Sequence, residues 1–476
     1  MAPPVPPKEP FSSPSLGIRL ADALQKTTVA PGDTLTGCVY RSEPAVGTHS
    51  RLTLSLIGRL WNETEREVPD HTSPYRETRT VTVRSELELF WKSQSLYQGP
   101  LHIAPGSNEQ TWPFSVTFPE EPERRFAPRG SGMGFTPPKA YIHNKQSFPP
   151  SFNHDDLISK RSRLGMLLSE PVSVVEYYLE AKLMIQAHGK LVDVESLLVL
   201  PVAPFWHEPM LSRYRLKSTE FERSVASKRL LPGMRDARPS LSDRARRLFR
   251  SSKDPSFAMK IEVQTPKVVQ LENPNPIPFV AHLTALPGKG AQALRDVSQT
   301  VELTRLGIEI VCITKVRPED RLKDDTMQES RSAVFPLQAG HMLAVLGPAR
   351  TMVLSPGGRG VKLDIGTLCR LKMGHFLWKQ KVSDEATTPS YCKIQPSFTT
   401  YYIQHSHVIR WELGFDIVGE EAKVYGADEI VVLPPSDYRV PPKEPTAVEA
   451  APPFEDGCAS DRKLDRPKAP LDSSEE

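Results

Sequence analysis

Apolar residues alternate with polar ones along many short segments of the chain. The clearest alternation lies in residues 52–56, 112–118, 175–185, 259–263 and 409–417. Successive side chains of a β-strand point to opposite faces, so a period of two predicts strands with an apolar face. Helical periodicity is almost absent. Because each apolar sheet face must be buried against another, the pattern predicts an all-β fold of antiparallel sheets packed as β-sandwiches.

In the strand predicted at residues 175–185, apolar residues alternate with mostly polar ones. Glu176, Tyr178 and Glu180 alternate there with Val175, Leu179 and other apolar residues. This alternation is typical of a strand with one face in the core and one wetter face. The charged stretch from Asn62 to Thr80 is instead predicted to be an exposed loop.

The strand-rich segments form two blocks of similar length, which predicts two sandwiches in series. The expected organisation is a disordered Pro-rich tail at 1–15, a first sandwich at 16–205 with an irregular insertion at about 120–170, a basic linker at 206–256, a second sandwich at 257–435, and a disordered tail at 436–476.

Composition supports strands and turns over helices, because 47 of the 476 residues are Pro, which cannot donate a backbone hydrogen bond. The net charge of +3 is uneven. Residues 213–253 hold thirteen Lys and Arg against four Asp and Glu, a net charge of +9.

Five scattered cysteines without zinc spacing suit a reducing cytoplasm. The N-terminal MAPPVPPKEP has no apolar core of a signal peptide, and no run of about 18 apolar residues follows, so we expect at most peripheral membrane contact.

Several segments, in their order along the chain, resemble the arrestin family, especially the α-arrestins of fungi. They are RLTLSLIGRLW from Arg51, TVRSELELFWKSQSLYQG from Thr82, APGSNEQTWPFSVTFPEE from Ala104, PPSF from Pro149, VEYYLEAKL from Val175, PSFTTYYIQHSHVIRWELGFDIVGEE from Pro396 and VVLPP from Val431. The resemblance covers roughly residues 16–205 and 257–435. It implies two tandem arrestin-like, immunoglobulin-like sandwiches.

The resemblance also implies a function. α-Arrestins are non-enzymatic cytosolic adaptors that bind the cytosolic tails of membrane transporters or receptors and promote their ubiquitin-dependent endocytosis, at the plasma membrane or endosomes. An alternative is an arrestin-fold signalling scaffold without ligase recruitment. The stretch 62–80 falls where arrestins carry a cargo-facing loop, although a plain hairpin loop explains it as well. No cofactor and no nucleic-acid partner are expected.

α-Arrestins recruit a HECT-type ubiquitin ligase through a PPxY motif that binds its WW domains. This chain departs from that motif, because PPSDY (434–438) and PPKAY (137–141) have one extra residue before the Tyr. In a polyproline helix of three residues per turn, that residue rotates the Tyr by about a third of a turn. The candidate partner-binding residues are Pro434, Pro435 and Tyr438, together with Pro7, Pro10, Pro442 and Pro445 of the repeated VPPKEP, for which a solvated tail is the alternative.

The basic segment offers a candidate lipid site. Residues 240–252 could form a short amphipathic helix that presents Arg244, Arg246, Arg247, Leu248, Phe249 and Arg250 to anionic lipids. Ser251 follows basic residues and is a candidate phosphosite whose phosphate would cancel part of that charge. A solvated linker is the alternative.

Signals for catalysis are poor, since GxSxG, HExxH and P-loop motifs are all absent. We therefore expect no enzyme, no catalytic residue and no metal. His405 and His407 lie two apart on a predicted strand, as a metal-binding pair would, but no third ligand is evident and an ordinary surface position is favoured.

Overall fold

The computed structural model describes residues 15–21, 28–69, 78–121, 148–153, 172–187, 190–205, 210–235, 254–286, 292–317, 329–337, 342–374, 376–378, 391–400 and 402–436. Strands of the first half are β1 (Gly17–Leu20), β2 (Thr34–Arg41), β3 (Ala45–Pro69), β4 (Thr78–Ile103), β5 (Gln110–Thr117), β6 (Phe152–Asn153), β7 (Val172–Ala187) and β8 (Lys190–Val199).

Strands also dominate the second half. They are β9 (Leu216–Ala226), β10 (Ser256–Pro266), β11 (Val268–Gln270), β12 (Val280–Ala285), β13 (Gln299–Val316), β14 (Glu329–Pro336), β15 (Thr351–Leu354), β16 (Val361–Asp364), β17 (Phe376–Trp378), β18 (Tyr391–Lys393), β19 (Phe398–Thr399), β20 (Ile403–Ile417) and β21 (Glu420–Leu433). The described helices are short: α1 (Met342–Leu346), α2 (Ile365–Leu368) and three 3-10 turns (Lys228–Leu230, Gln292–Leu294 and Gly347–Arg350).

Two sheets of the first half share a hydrophobic core. One has the order β1–β2–β5, and the other has the order β4–β3–β7, with β6 and β8 also paired to β7. Leu35 and Val39 of the smaller sheet and Leu54 and Tyr177 of the larger sheet belong to the same buried cluster. The apolar faces of the two sheets therefore meet, as in a sandwich.

The second half repeats this arrangement with larger sheets. A sheet of order β16–β12–β10–β9 packs against one of order β11–β21–β20–β13–β14, which also holds β15 and β19. Ile261 and Leu283 of the first sheet and Ile310 and Trp411 of the second lie in one cluster. All pairings here are antiparallel except β11 with β21.

The prediction of an all-β sandwich fold is therefore confirmed, and the predicted strands at 175–185 and 409–417 lie within β7 and β20. The described residues all belong to one compact unit, Met1–Asp437. Phe398, Tyr402 and Ile403 come from the second half yet pack in the hydrophobic cluster of the first half. The serial order of two sandwiches and their boundaries stay predictions.

The predicted wetter face of β7 is wrong in the first half of the strand, whereas Lys182 and Met184 are half-buried and Gln186 is exposed, as the alternation predicts. Glu176, Tyr178 and Glu180 are buried along with their apolar neighbours. β7 lies in the interior of its sheet, between β3 on one edge and β6 and β8 on the other. Its polar side chains are accommodated by partners on the neighbouring strands, which the sequence of β7 does not reveal.

The end of the predicted irregular insertion contributes to the core. Phe148 packs edge-on against Phe90 and Phe118, with ring centroids 5.2 and 5.3 Å away. The hydroxyl of buried Tyr177 donates a hydrogen bond of 2.7 Å to the carbonyl oxygen of Pro149, and Phe152 starts the short strand β6. Within the predicted insertion, residues 148–151 have no regular secondary structure and only 152–153 form a strand, while residues 122–147 and 154–171 lie outside the described part.

The predicted loop at 62–80 is largely a paired ribbon. β3 continues to Pro69 and β4 begins at Thr78, so only residues 70–77 lie outside the described strands. Asn62 is buried rather than exposed. The prediction of a loop is therefore wrong at 62–69 and 78–80, although Thr78, Arg79 and Thr80 are exposed as predicted.

Candidate functional site

The predicted basic linker begins with ordered structure. β9 pairs with β10 in register from Leu216 opposite Pro266 to Ala226 opposite Ser256, and a 3-10 turn follows at Lys228–Leu230. Residues 216–230 are therefore part of a sheet and its connection rather than a linker. The candidate lipid residues Arg244, Arg246, Arg247, Leu248, Phe249 and Arg250 and the candidate phosphosite Ser251 lie outside the described residues.

Part of the positive charge of this segment is paired within the fold. Lys217 of β9 forms an ion pair of 2.5 Å with the buried carboxylate of Asp428. That carboxylate also accepts hydrogen bonds from Thr265 and from the indole of Trp411. Burial raises the pKa of Asp428, but the hydrogen bonds from Lys217, Thr265 and Trp411 outweigh it and leave the pKa below its usual value. The net charge of +9 therefore overstates what this segment offers to a lipid surface.

Only two of the predicted proline-motif residues are described. Pro434 is half-buried and Pro435 is buried, directly after β21. The next residue, Ser436, accepts a hydrogen bond of 3.0 Å from the side-chain amide of Gln270. The prolines of this motif therefore face the fold. Pro7, Pro10, Tyr438, Pro442 and Pro445 lie outside the described residues.

The far ends of β3 and β4 form a two-stranded ribbon, defined here as Thr64–Pro69 paired with Thr78–Val83. β7 pairs with β3 only as far as Glu63 opposite Val172. In the described part of the chain, β3 therefore has β4 as its one neighbour beyond that point. Where the ribbon leaves the sheet, Arg84 and Glu63 form an ion pair of 2.7 Å.

Most side chains on the β4 arm of the ribbon are exposed to solvent. Thr78, Arg79, Thr80 and Thr82 are exposed, while Val81 and Val83 are half-buried. A ribbon of two strands has little stability of its own, and these side chains add little to a core. Among the described residues no further strand pairs with its outer edges, whose backbone N–H and C=O groups can pair with another extended chain.

Close to the base of this ribbon, the larger sheet of the first half buries a charged cluster. The Arg59 side chain is 3% exposed and lies between two carboxylates. It forms an ion pair with Glu176, its cross-strand partner on β7, and another of 2.9 Å with Glu86 on β4. The guanidinium also lies over the Tyr178 ring, 5.6 Å from its centre. The two ion pairs of Arg59 therefore link β3 to both β4 and β7.

A second polar cluster lies inside the second half. His405 and His407 are each 1% exposed, so the surface position favoured from the sequence is wrong. The strand register places Cys312 of β13 opposite His407 and Thr314 opposite His405. Cys312 is buried as well, and its Sγ and one nitrogen of each imidazole lie within 4.8 Å of one another. The third group that could ligate a metal is therefore present.

Hydroxyl groups orient both imidazoles. His405 Nδ1 lies 2.9 Å from the hydroxyl of Thr314, and His407 Nδ1 lies 2.9 Å from that of Ser397. Nε2 of His407 is buried and has no hydrogen-bond partner among the described residues. Burial lowers the pKa of His407 to about 3, so its imidazole is neutral at physiological pH.

Aromatic side chains from both halves of the chain enclose this cluster. His405 stacks on Phe398 with ring centres 5.5 Å apart, and it contacts Phe152 of β6 at 5.3 Å. Phe152 and Phe398 also touch edge to face. The two halves are further joined where the Gln395 side chain donates a hydrogen bond to the Ser151 carbonyl oxygen. The histidines therefore lie where the two hydrophobic clusters meet.

No protein-family model matches the chain, and the search of curated proteins finds no match. Among the described residues, no helix is long and apolar enough to cross a membrane.

Proposed function

We propose that this chain is a non-enzymatic, arrestin-like adaptor that binds extended cytosolic segments of membrane proteins and promotes their ubiquitin-dependent endocytosis. The ribbon of Thr64–Pro69 and Thr78–Val83 carries this proposal. Support also comes from the ordered resemblance over residues 16–205 and 257–435. The ribbon occupies the place where that resemblance puts a cargo-facing loop.

The ribbon suits a flexible tail as its ligand. Its outer edges can hydrogen-bond an extended peptide by strand addition, in which backbone pairing gives affinity and alternate side chains give specificity. The exposed Thr and Arg side chains on the β4 arm are polar, which suits the polar tails of transporters and receptors. Arg59 and its carboxylates hold the base of the ribbon in the sheet.

One observation favours the alternative, a signalling scaffold without direct ligase recruitment. Pro435 is buried, and Ser436 is hydrogen-bonded to Gln270. A WW domain that bound the PPSDY segment would have to displace this end of β21 from the fold. Recruitment of a HECT-type ligase would then depend on another part of the chain or on a bridging protein.

The proposed location is the cytoplasm, at the periphery of the plasma membrane or endosomes. Cargo tails would bring the chain there, and the basic residues Arg244–Arg250 would add contact with anionic lipids. A variant with Arg244, Arg246, Arg247 and Arg250 changed to Ala tests that contact by imaging of the tagged chain. Unchanged membrane association would remove the lipid contribution.

The ribbon itself can be removed with little disturbance of the sheet. Glu63 and Arg84 face each other at its base, so joining them through Asn-Gly replaces residues 64–83 with a two-residue hairpin turn. Proximity labelling then compares the full chain with this shortened chain. We expect transporters or receptors among the neighbours of the full chain and their loss from those of the shortened chain.

A matched control replaces Tyr425, an exposed residue on β21, with Ala and leaves the ribbon intact. This variant should keep the neighbours of the full chain. The proposal fails if the full chain labels no membrane proteins, or if shortening the ribbon leaves the labelled set unchanged. A pull-down of the full chain with isolated WW domains separates the two functions, because robust binding would reject the scaffold alternative.

A further inference from the structure

We propose that Cys312, His405 and His407 form a binding site for a soft d-block metal ion, with Cu⁺ as the preferred ion. The donor atoms of the three side chains lie within 4.8 Å of one another. All three residues are buried, and Cys312 of β13 lies opposite His407 of β20, two residues along the strand from His405. The site is independent of the adaptor function proposed above.

The hydrogen bonds around the imidazoles match those of metal-binding histidines. Such histidines donate one ring N–H to a neighbouring group, and the other nitrogen then carries the lone pair for the metal. Here each Nδ1 faces a hydroxyl, Thr314 for His405 and Ser397 for His407. With Nδ1 protonated, Nε2 of His407 becomes the metal-binding atom, and this buried nitrogen has no hydrogen bond among the described residues.

The distances require only a small adjustment. Zn²⁺ bonds of about 2.0–2.1 Å to nitrogen and 2.3 Å to sulfur place tetrahedral ligand atoms about 3.6 Å apart. The ligand atoms of Cys312, His405 and His407, which lie within 4.8 Å of one another, must therefore approach by about 1 Å. An ion would have to draw the Cys312 side chain and the two rings together by this amount.

The choice of Cu⁺ follows from charge and ligand number. A Cys thiolate is a soft ligand that selects Cu⁺ or Zn²⁺. One thiolate and two neutral imidazoles leave Cu⁺ with no net charge but leave Zn²⁺ with a charge of +1, and residual charge is costly in a buried site. Zn²⁺ also takes a fourth ligand, either a protein group or water, whereas the described residues gather three protein donors here.

A metal ion bound at this position would stabilise the contact between the two halves of the chain. It would join β13 to β20 directly beside Phe398, which packs in the cluster of the first half. A metal-free chain should consequently be less stable to heat, because an ion that binds only the folded state stabilises it.

The test measures Cu⁺ uptake by the full chain under anaerobic conditions, as the withdrawal of Cu⁺ from its bicinchoninate complex. Ions are offered both to the purified chain and during growth in copper-supplemented medium, so that slow entry into a buried site is not mistaken for lack of binding. We expect stoichiometric uptake by the unaltered chain and at least about tenfold weaker binding by Cys312→Ser. Cys369→Ser is the matched control, since Cys369 is also buried and lies outside the cluster, and it should bind like the unaltered chain.

X-ray absorption of the copper-loaded unaltered chain gives a readout that does not depend on folding of a variant. The proposal requires one sulfur and two nitrogen ligands. A folded chain that takes up no ion, a spectrum without sulfur, or equal binding by the Cys312 and Cys369 variants would overturn the site. Uptake of Zn²⁺ but not Cu⁺ would overturn the choice of ion.

Discussion

The buried ion pair between Arg59 and Glu176 gives a prediction of definite size. Both side chains are almost fully buried, and Glu86 is the partly exposed second partner of Arg59. Glu176→Gln removes the carboxylate and leaves the guanidinium buried with less compensation. Loss of one partner of a buried pair costs about 3–5 kcal/mol. We therefore expect Glu176→Gln to lower the free energy of unfolding by an amount in this range, reduced somewhat because Glu86 remains.

Replacing both partners should have a different effect on the free energy of unfolding. Arg59→Met combined with Glu176→Leu removes both buried charges together, and such replacements are often neutral or stabilising. Urea-induced unfolding at neutral pH measures the free energy of unfolding of the unaltered chain, of Glu176→Gln and of the double variant. Glu195→Gln is the control, because it breaks an exposed ion pair with Lys182 on the same sheet that should contribute about 0–1 kcal/mol. The reasoning is refuted if Glu176→Gln costs no more than Glu195→Gln, or if the double variant is less stable than the single one.

Two further predictions concern the second half. A Cβ on Gly426 would lie 2.4 Å from the buried ring of Trp411, whereas one on Gly307 would find its nearest neighbour at 4.0 Å. Gly426→Ala should therefore destabilise by about 1–3 kcal/mol and Gly307→Ala by much less, and equal melting temperatures would contradict this. Because burial lowers the pKa of His407 to about 3, below pH ~6.5 the unfolded chain binds a proton that the folded chain does not. In the presence of a metal chelator, the free energy of unfolding should fall by about 1.4 kcal/mol per pH unit from ~6.5 towards 3, and a His407→Gln chain with an undiminished slope would refute this.

The sequence predicted strands well where one side of the strand packs in a core. Ile409, Trp411 and Leu413 follow a period of two and lie in the core side of β20. The segment 62–80 is rich in charged residues and lacks a run of alternating apolar residues, so its sequence predicts a loop. Pairing with β4, rather than burial, forms a strand there.

Long-range pairing explains the other differences. The partner of Glu176 is Arg59, 117 residues earlier in the chain, and nothing near Glu176 indicates it. Cys312 likewise faces His407 only because β13 and β20 pair in a particular register. The spacing of His405 and His407 on one strand indicates two members of the cluster from the sequence alone. Cys312 can be identified as the third member only from the register of β13 with β20.

The central claim is that the ribbon contacts the cytosolic segments of membrane proteins. A photo-crosslinking amino acid placed at Arg79, which is exposed on the ribbon, tests this directly in intact cells, with the same probe at Tyr425, 74% exposed on β21, for comparison. The account predicts crosslinks from position 79 to cytosolic tails or loops of transporters or receptors, and none of these from position 425. The same set of crosslinked proteins from both positions, or a set from position 79 without membrane proteins, would contradict it.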